Sequence, residues 1–135
     1  MNTKGEFFAY ADSSAIAKLF QPEAESAALR GFLSGCFRVS SSVVARVEVL
    51  RVAGRQGAAT VAAAEAALDG IALVELNAEI IDTAAALPPT ILRSLDAIHL
   101  ATAIALGHQL DVVVTYDVRM QEAARGLGLT VAAPA

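Results

Sequence analysis

The sequence predicts an α/β fold with a mainly parallel central sheet of four to five strands, flanked by helices on both faces. Short apolar runs alternate with longer amphipathic or alanine-rich segments along the whole chain. The short runs are continuously apolar, as expected for strands that are buried on both faces. Strands that alternate with helices form βαβ units, and such units build a parallel sheet covered by helices.

The predicted strands are apolar runs bounded by glycine, proline or small polar residues. Valine, isoleucine, phenylalanine and tyrosine are common in them and fit a pleated, buried surface. We expect strands at 6–11, 36–40, 71–75, 112–115 and 129–132.

The predicted helices lie between these runs and have recognisable ends. The serine run 40–42, Asn77 and Ser94 are expected to cap the helices that follow them, because their side chains can accept backbone N–H bonds. Prolines follow two helices and cannot continue them, and glycines end three others. We expect helices at 13–20, 23–33, 43–53, 58–68, 78–87, 95–106 and 120–125.

Length and composition indicate one small globular domain spanning 1–135. Hydrophobic residues make up 56% of the chain, above the roughly 45–50% of an average soluble domain. We interpret part of this surplus as an interface, and the apolar segment around Leu29 and Phe32 as either a partner groove or ordinary core. The net charge of −4 argues against broad electrostatic adhesion to nucleic acid.

Other features exclude particular classes. The lone Cys36 permits no internal disulfide and is expected to be a small strand hydrophobe. The chain lacks the roughly 18 consecutive apolar residues of a membrane span, and its first 14 residues are too acidic for a signal peptide. We therefore expect a cytoplasmic protein that does not enter a membrane.

Four acidic residues stand in apolar surroundings. Asp12 and Asp117 follow predicted strands, whereas Glu48 and Asp96 lie in apolar helices. Each has a local explanation: helix capping for Asp12 and Asp117, a helix first turn for Asp96, and an ion pair with Arg51 for Glu48. Ligands of parallel sheets bind beyond the carboxyl ends of the strands, where Asp12 and Asp117 are expected.

Convergence of these carboxylates would require a cation. Two carboxylates about 4 Å apart repel by roughly 4 kcal/mol at an effective dielectric constant of about 20. Oxygen-only ligation favours Mg²⁺ or Mn²⁺ over zinc. Such an ion activates water and stabilises the charge of a phosphoryl displacement, so the pattern points to phosphodiester hydrolysis.

The same residues resemble the four motifs of the PIN-domain family, in the order in which that family uses them. The segments that carry the resemblance are YADSSAIAKLFQPEAES, VVARVEVLR, LDAIHLATA and TYDVRMQEAA. Together they span nearly the whole chain, and they are most similar to VapC-type toxins of bacterial toxin–antitoxin pairs. The resemblance implies a single PIN-like ribonuclease domain over 1–135.

The resemblance also implies an activity, a cofactor and partners. The activity is a Mg²⁺-dependent endoribonuclease, with Mn²⁺ as a substitute, that cuts structured RNA such as tRNA or rRNA. The partners are a cognate VapB-type antitoxin and a second toxin copy in a homodimer. The acidic ligands of the family correspond to Asp12, Glu48, Asp96 and Asp117, and the hydroxyl that accompanies the last of them corresponds to Thr115.

Several alternatives stay open. His99 is either a hydrogen-bonded core residue or a ligand or acid–base group. Ser13 and Ser14 either cap a helix or contact phosphate. A PIN-like RNA-binding or interaction module without catalysis is the alternative function. Arginines near the acidic positions could neutralise RNA phosphates or lie in solvent, namely Arg46, Arg51, Arg55, Arg93 and Arg119.

Overall fold

A five-stranded parallel sheet forms the centre of the protein. The computed structural model describes residues 7–135, so Glu6 of the predicted first strand lies outside the described residues. The strand order is β3-β2-β1-β4-β5, and every adjacent pair is parallel. The strands are β1 Phe7–Ala11, β2 Cys36–Ser42, β3 Ala72–Val74, β4 Val112–Val114 and β5 Val131–Ala132.

Seven α-helices connect and cover the strands within the described residues. They are α1 Ser13–Phe20, α2 Ser26–Ser34, α3 Val44–Gly54, α4 Ala58–Asp69, α5 Ala78–Ala86, α6 Ser94–Ala105 and α7 Val118–Gly126. A 3₁₀ turn, Gly107–Gln109, joins α6 to β4. Between residues 7 and 135, no helix is both long and apolar enough to cross a membrane.

Helices cover both faces of the sheet, as the sequence predicts. Successive side chains of a strand point to opposite faces. Ala9 and Ala11 of β1 belong to a core cluster with side chains of α1, α2, α3 and α4. Tyr10, between them, packs with Val113 and with Ala103 of α6 on the other face. The predicted fold class is therefore confirmed.

The helix caps follow the sequence prediction only in part. Asn77 caps α5, since its side chain accepts the N–H of Ile80 at 2.8 Å. The Ser94 cap is wrong: α6 begins at Ser94 itself, and Arg93 holds the cap position without a side-chain cap bond. The carboxylates of Asp96 and Asp117 hold the Arg93 side chain instead.

The serine run 40–42 belongs to a strand rather than to a helix cap. Ser40, Ser41 and Ser42 pair with β3, so β2 extends two residues beyond its predicted end. Val43 occupies the cap position of α3, although the hydroxyl of Ser42 still accepts the N–H of Val44 at 3.2 Å. Strand pairing, which local sequence does not reveal, takes precedence over capping here.

Three other boundaries differ from the prediction. Helix α7 begins at Val118 rather than at residue 120, because Asp117 caps it. Helix α2 begins at Ser26 rather than at residue 23, because the Ser26 hydroxyl and the N–H of Glu23 form a turn at 3.0 Å. Strand β5 is limited to Val131–Ala132, the two residues that pair with β4.

The apolar segment considered as a partner groove contributes at least one residue to the core. Leu29 is fully buried, so its side chain is inaccessible to a partner. Its apolar neighbours are partly buried against the same cluster, namely Leu19, Phe20, Phe32 and Leu33. Leu29 itself is therefore excluded from a partner surface, whereas the groove or dimer face stays a prediction for the partly buried side chains.

Leu29→Ala should destabilise the protein strongly, because it leaves a cavity in the cluster beneath the sheet. Substitutions of this kind cost about 2–5 kcal/mol. Leu95→Ala is the matched control, since Leu95 is 44% exposed on α6, and we expect it to change stability by less than about 0.5 kcal/mol. Equal losses in urea unfolding of the two variants would contradict the packing described here.

Candidate active site

Asp12 and Asp117 lie at the same edge of the sheet. Asp12 follows β1 and caps α1, and Asp117 follows β4 and caps α7. Strands β1 and β4 are adjacent and parallel, and the N–H of Asp12 donates to the carbonyl of Val114 at 3.3 Å. Capping and convergence are thus compatible: the two carboxylates cap their helices and still meet at the carboxyl edge.

The carboxylate of Asp12 is buried among neutral donors. Its side chain is 4% exposed. Oδ1 accepts the hydroxyl of Ser14 at 2.6 Å and the N–H of Ala15 at 3.1 Å, and Oδ2 accepts the hydroxyl of Thr115 at 2.7 Å. Burial nevertheless raises the pKa of Asp12, because these hydrogen bonds offset only part of the lost hydration. Burial therefore disfavours the ionised form of Asp12, and a bound cation would offset that cost.

Thr115 connects the two strand-end aspartates. It is fully buried. Its hydroxyl donates to Asp12 and accepts the backbone N–H of Asp117 at 3.2 Å. The resemblance implied a hydroxyl beside the last acidic position, and the structure places this one against the first.

Glu48 is held by residues from two other helices. Its Oε1 accepts the hydroxyl of Ser13 at 2.6 Å and lies 2.7 Å from Nε2 of His99. Burial opposes ionisation, but the hydrogen bonds from His99 and Ser13 outweigh it and lower the pKa of Glu48. Glu48 thus interacts with His99 and not, as considered from the sequence, with Arg51, which is exposed.

His99 is a buried link between Glu48 and Tyr10. Its Nδ1 lies 2.7 Å from the Tyr10 hydroxyl. An ionised Glu48 only accepts, so Nε2 of His99 donates to it and Nδ1 accepts the Tyr10 proton. Burial raises the pKa of Tyr10 well above its usual value, so the phenol keeps that proton. The hydrogen-bonded core alternative for His99 is confirmed.

Arg93 bridges the other two carboxylates. Its Nε lies 3.1 Å from Oδ2 of Asp96, and its Nη2 lies 3.1 Å from Oδ2 of Asp117. Asp96 first, and then Asp117, raise the pKa of Arg93, and Glu48 adds a smaller effect in the same direction. Three of the four predicted acidic residues therefore act on one guanidinium.

The four carboxylates share a site but do not form a closed coordination shell. In the described part of the chain, no three His, Cys, Asp or Glu side chains are grouped closely enough to hold a metal ion. Their chemistry still suits a hard divalent cation, because every donor is a carboxylate oxygen. Burial of the Asp12 carboxylate and the ion pairs of Arg93 with Asp96 and Asp117 both indicate that a cation is stabilised at this edge of the sheet.

The other predicted arginines lie away from these contacts. Arg46 pairs with Glu65 at 3.7 Å on the surface, an interaction of little energetic value. Arg51 and Arg55 are exposed on or beside α3. Arg119 is exposed on α7 and, with Arg93 and Asp96, lines a cavity of about 790 Å³ whose other walls are mainly apolar.

The side chains that orient the carboxylates are not evident from the sequence motifs. Ser13 and Ser14 do not cap α1, because Asp12 holds the cap position and their hydroxyls donate to Glu48 and Asp12. The sequence motifs indicate for Tyr10 only a place in a strand. A signal was available: its polar group lies in a buried strand two residues before Asp12, and His99 follows Asp96 by one helical turn.

Comparison with known proteins identifies the family. Residues 9–126 match the sequence model of the PIN domain. Ribonuclease VapC46 of Mycobacterium tuberculosis is 46% identical over 125 residues, which cover 93% of this chain and 96% of that protein. Ribonuclease VapC35 of the same species is 42% identical over 132 residues, with 93% of this chain and 96% of that protein covered.

Solved structures share the fold. The VapC20 toxin of Mycobacterium tuberculosis, described as cleaving the sarcin-ricin loop, aligns with a TM-score of 0.70 at 18% identity and covers 85% of this chain and 94% of its own. A toxin–antitoxin complex from Klebsiella pneumoniae aligns with a TM-score of 0.70 at 22% identity, covering 94% and 98%. The resemblance that the four motifs predicted is confirmed, and the chain belongs to the PIN-domain family, among the VapC ribonucleases.

Proposed function

We propose that this protein is a VapC-type toxin, a divalent-metal-dependent endoribonuclease that hydrolyses RNA phosphodiester bonds and acts in the cytoplasm. The observation that carries the proposal is that all four predicted carboxylates are linked at the carboxyl edge of the sheet. Thr115 joins Asp12 to Asp117. Arg93 contacts Asp117 and Asp96, and its pKa is also raised by Glu48. One catalytic domain over 1–135 is part of the proposal.

The proposed metal ligands are Asp12, Glu48 and Asp96, with Asp117 completing the shell or orienting the attacking water. Mg²⁺ is the expected ion and Mn²⁺ its substitute, because both accept oxygen-only ligation. When bound, the ion lowers the pKa of a coordinated water and neutralises charge that develops on the phosphate.

The residues around the ligands orient them before an ion arrives. Both hydrogen bonds to Glu48 go to Oε1, so Oε2 faces no competing donor among the described residues. The chain from Tyr10 through His99 keeps Glu48 ionised and fixes its direction. The hydroxyl of Thr115 fixes the direction of the Asp12 carboxylate. Partners of this kind tune both the orientation and the affinity of metal ligands.

Structured RNA, such as tRNA or rRNA, is the proposed substrate. The net charge of −4 makes local cations decisive, and Arg93 and Arg119 flank the cavity beside Asp96. The similarity to a toxin described as cleaving the sarcin-ricin loop supports a structured rRNA target. Water rather than the RNA 2′-hydroxyl is the nucleophile, so the products carry a 5′-phosphate and a 3′-hydroxyl.

A VapB-type antitoxin and a second toxin copy are the proposed partners. The fold is shared with the toxin–antitoxin complex from Klebsiella pneumoniae. Large apolar side chains remain exposed in the described residues, including Val47, Ile81, Ile91 and Val118. Exposed side chains of this kind offer apolar area for an interface. A PIN-like RNA-binding or interaction module without catalysis is the alternative function.

Asp12→Asn should reduce RNA cleavage by at least about 10²-fold, as the loss of a charged group that acts in the transition state typically does. The measurement is cleavage of total bacterial RNA with Mg²⁺ or Mn²⁺, followed by sequencing of the new ends. Chelator should abolish the wild-type cuts.

Asp69→Asn is the matched control for cleavage. Asp69 ends α4 just before β3 begins, at the opposite edge of the sheet, and is exposed, so this variant should cut like the wild type. Discrete cuts that persist in Asp12→Asn or in chelator would contradict the metal mechanism. Absence of cleavage by a folded, metal-binding wild type would favour the non-catalytic alternative.

Asp12→Asn should also raise the melting temperature of the metal-free protein, whereas Glu48→Gln should lower it. Asp12 has a raised pKa, so its ionised form destabilises the fold; Glu48 has a lowered pKa, so its ionised form stabilises it. A change of 1 kcal/mol corresponds to roughly 4 °C for a chain of this size. The measurement is thermal unfolding in chelator at pH 7.

The melting-temperature differences of Asp12→Asn and Glu48→Gln from the wild type should both become smaller in acid. Ionised Asp12 lowers the stability of the fold. This loss disappears as the pH falls through the raised pKa of Asp12 towards the usual value of about 3.9. For Glu48, the stability is present above its usual pKa of about 4.3 and is lost as the pH falls through the lowered value. Glu65→Gln, on the surface of α4, should change little at either pH. Shifts of the same sign for Asp12→Asn and Glu48→Gln at pH 7 would contradict the burial and hydrogen bonding described here.

A further inference from the structure

The Arg93 side chain is largely exposed, yet its guanidinium contacts two carboxylates of the proposed site. The side chain is 64% exposed, and Arg93 occupies the cap position of α6. Its guanidinium contacts Asp96, one turn into the same helix, and Asp117, at the start of α7. One cation therefore joins carboxylates that lie on two different helices.

These contacts use atoms that a metal ion would need. The two Arg93 nitrogens each lie 3.1 Å from an Oδ2 atom, of Asp96 and of Asp117. Mg²⁺ would require oxygens at about 2.0–2.1 Å. Over residues 7–135, no three candidate ligands are grouped around one point, as expected where a planar guanidinium separates two of them.

We propose that Arg93 is an internal counter-cation that a divalent ion displaces, and that the displaced guanidinium then binds the RNA backbone. The inference rests on the proposed function, since it concerns the metal and the substrate of the same site. Glu48 adds to the negative charge that holds Arg93 in place, and this charge raises its pKa. Without a cation, the carboxylates would repel one another.

The surroundings of Arg93 allow the second step. Arg93 lines the cavity of about 790 Å³ together with Arg119, directly beside Asp96. A guanidinium released from two carboxylates becomes available to a phosphate, which it binds through paired N–H donors. Metal binding thus frees an RNA contact, and by linkage RNA binding strengthens metal binding. In the absence of metal, the same contacts keep Arg93 from the RNA.

The test is a titration of the metal-free protein with Mn²⁺ in the absence of RNA. Electron paramagnetic resonance measures the free Mn²⁺ and so gives the affinity. Arg93→Gln should bind Mn²⁺ at least roughly 5-fold more tightly than the wild type, at the lower end of typical coupling between two sites. Arg119→Gln removes the same charge from the rim of the same cavity, where the residue is exposed. It should change the affinity by less than about 2-fold, because among the described residues Arg119, unlike Arg93, forms no ion pair with a proposed ligand.

Further measurements distinguish displacement of Arg93 from a nonspecific effect of removing one positive charge and from unfolding of the variant. Arg93→Lys keeps the charge and should bind Mn²⁺ like the wild type, or between the wild type and Arg93→Gln. Melting temperatures should rise more on Mn²⁺ addition for Arg93→Gln than for the wild type, which also verifies folding. At saturating Mn²⁺, Arg93→Gln should raise the KM for RNA more than it lowers kcat.

The outcomes distinguish the inference from the proposed function. Mn²⁺ affinity of Arg93→Gln equal to or weaker than that of the wild type would overturn the displacement of Arg93, while metal-dependent cleavage by the wild type would still support the ribonuclease. If neither protein binds Mn²⁺, the inference and the proposed metal site both fail. Tighter Mn²⁺ binding without any RNA cleavage would support Arg93 displacement and overturn the nuclease.

Discussion

The concentration of negative charge at one edge of the sheet is the constraint on which the site depends. Four carboxylates approach this edge, and one of them, Asp12, is almost fully buried. Charge in such a place is costly unless cations or hydrogen-bond donors replace the lost water. Hydroxyl and backbone donors stabilise Asp12, and His99 stabilises Glu48 through a hydrogen bond. Arg93 forms ion pairs with Asp96 and Asp117.

The parallel sheet explains why these residues can meet. Strands β1 and β4 lie side by side and end at the same edge, so Asp12 and Asp117 cap the helices that follow them there and are linked through Thr115. Helices α3 and α6 bring Glu48 and Asp96 to the same edge, where α1 and α6 supply the hydroxyl and the imidazole that hold Glu48. The four carboxylates are thereby carried by helices or by residues that cap them, which favours a defined geometry.

The fold and the acidic residues were predictable from sequence, whereas the connections between them were not. Continuous apolar runs and strand-end aspartates are local patterns, and they correctly predicted the sheet and the shared edge of Asp12 and Asp117. The contacts of His99 with Tyr10 and Glu48, and of Arg93 with Asp117, join residues far apart in the chain. Periodicity and capping rules describe neighbours in sequence, so they miss such pairs, just as they assigned a cap to Ser42 where strand pairing prevails.

The most direct test of the account is a crystal structure with Mn²⁺, with the ion located by its anomalous scattering. The account predicts density bound by carboxylate oxygens of Asp12, Glu48 and Asp96 at roughly 2.0–2.2 Å, close to the distances expected for hard divalent ions. It also predicts that the Arg93 guanidinium has left Asp96 and Asp117. An intact fold without an ion at this edge, or an ion held by other residues, would contradict it.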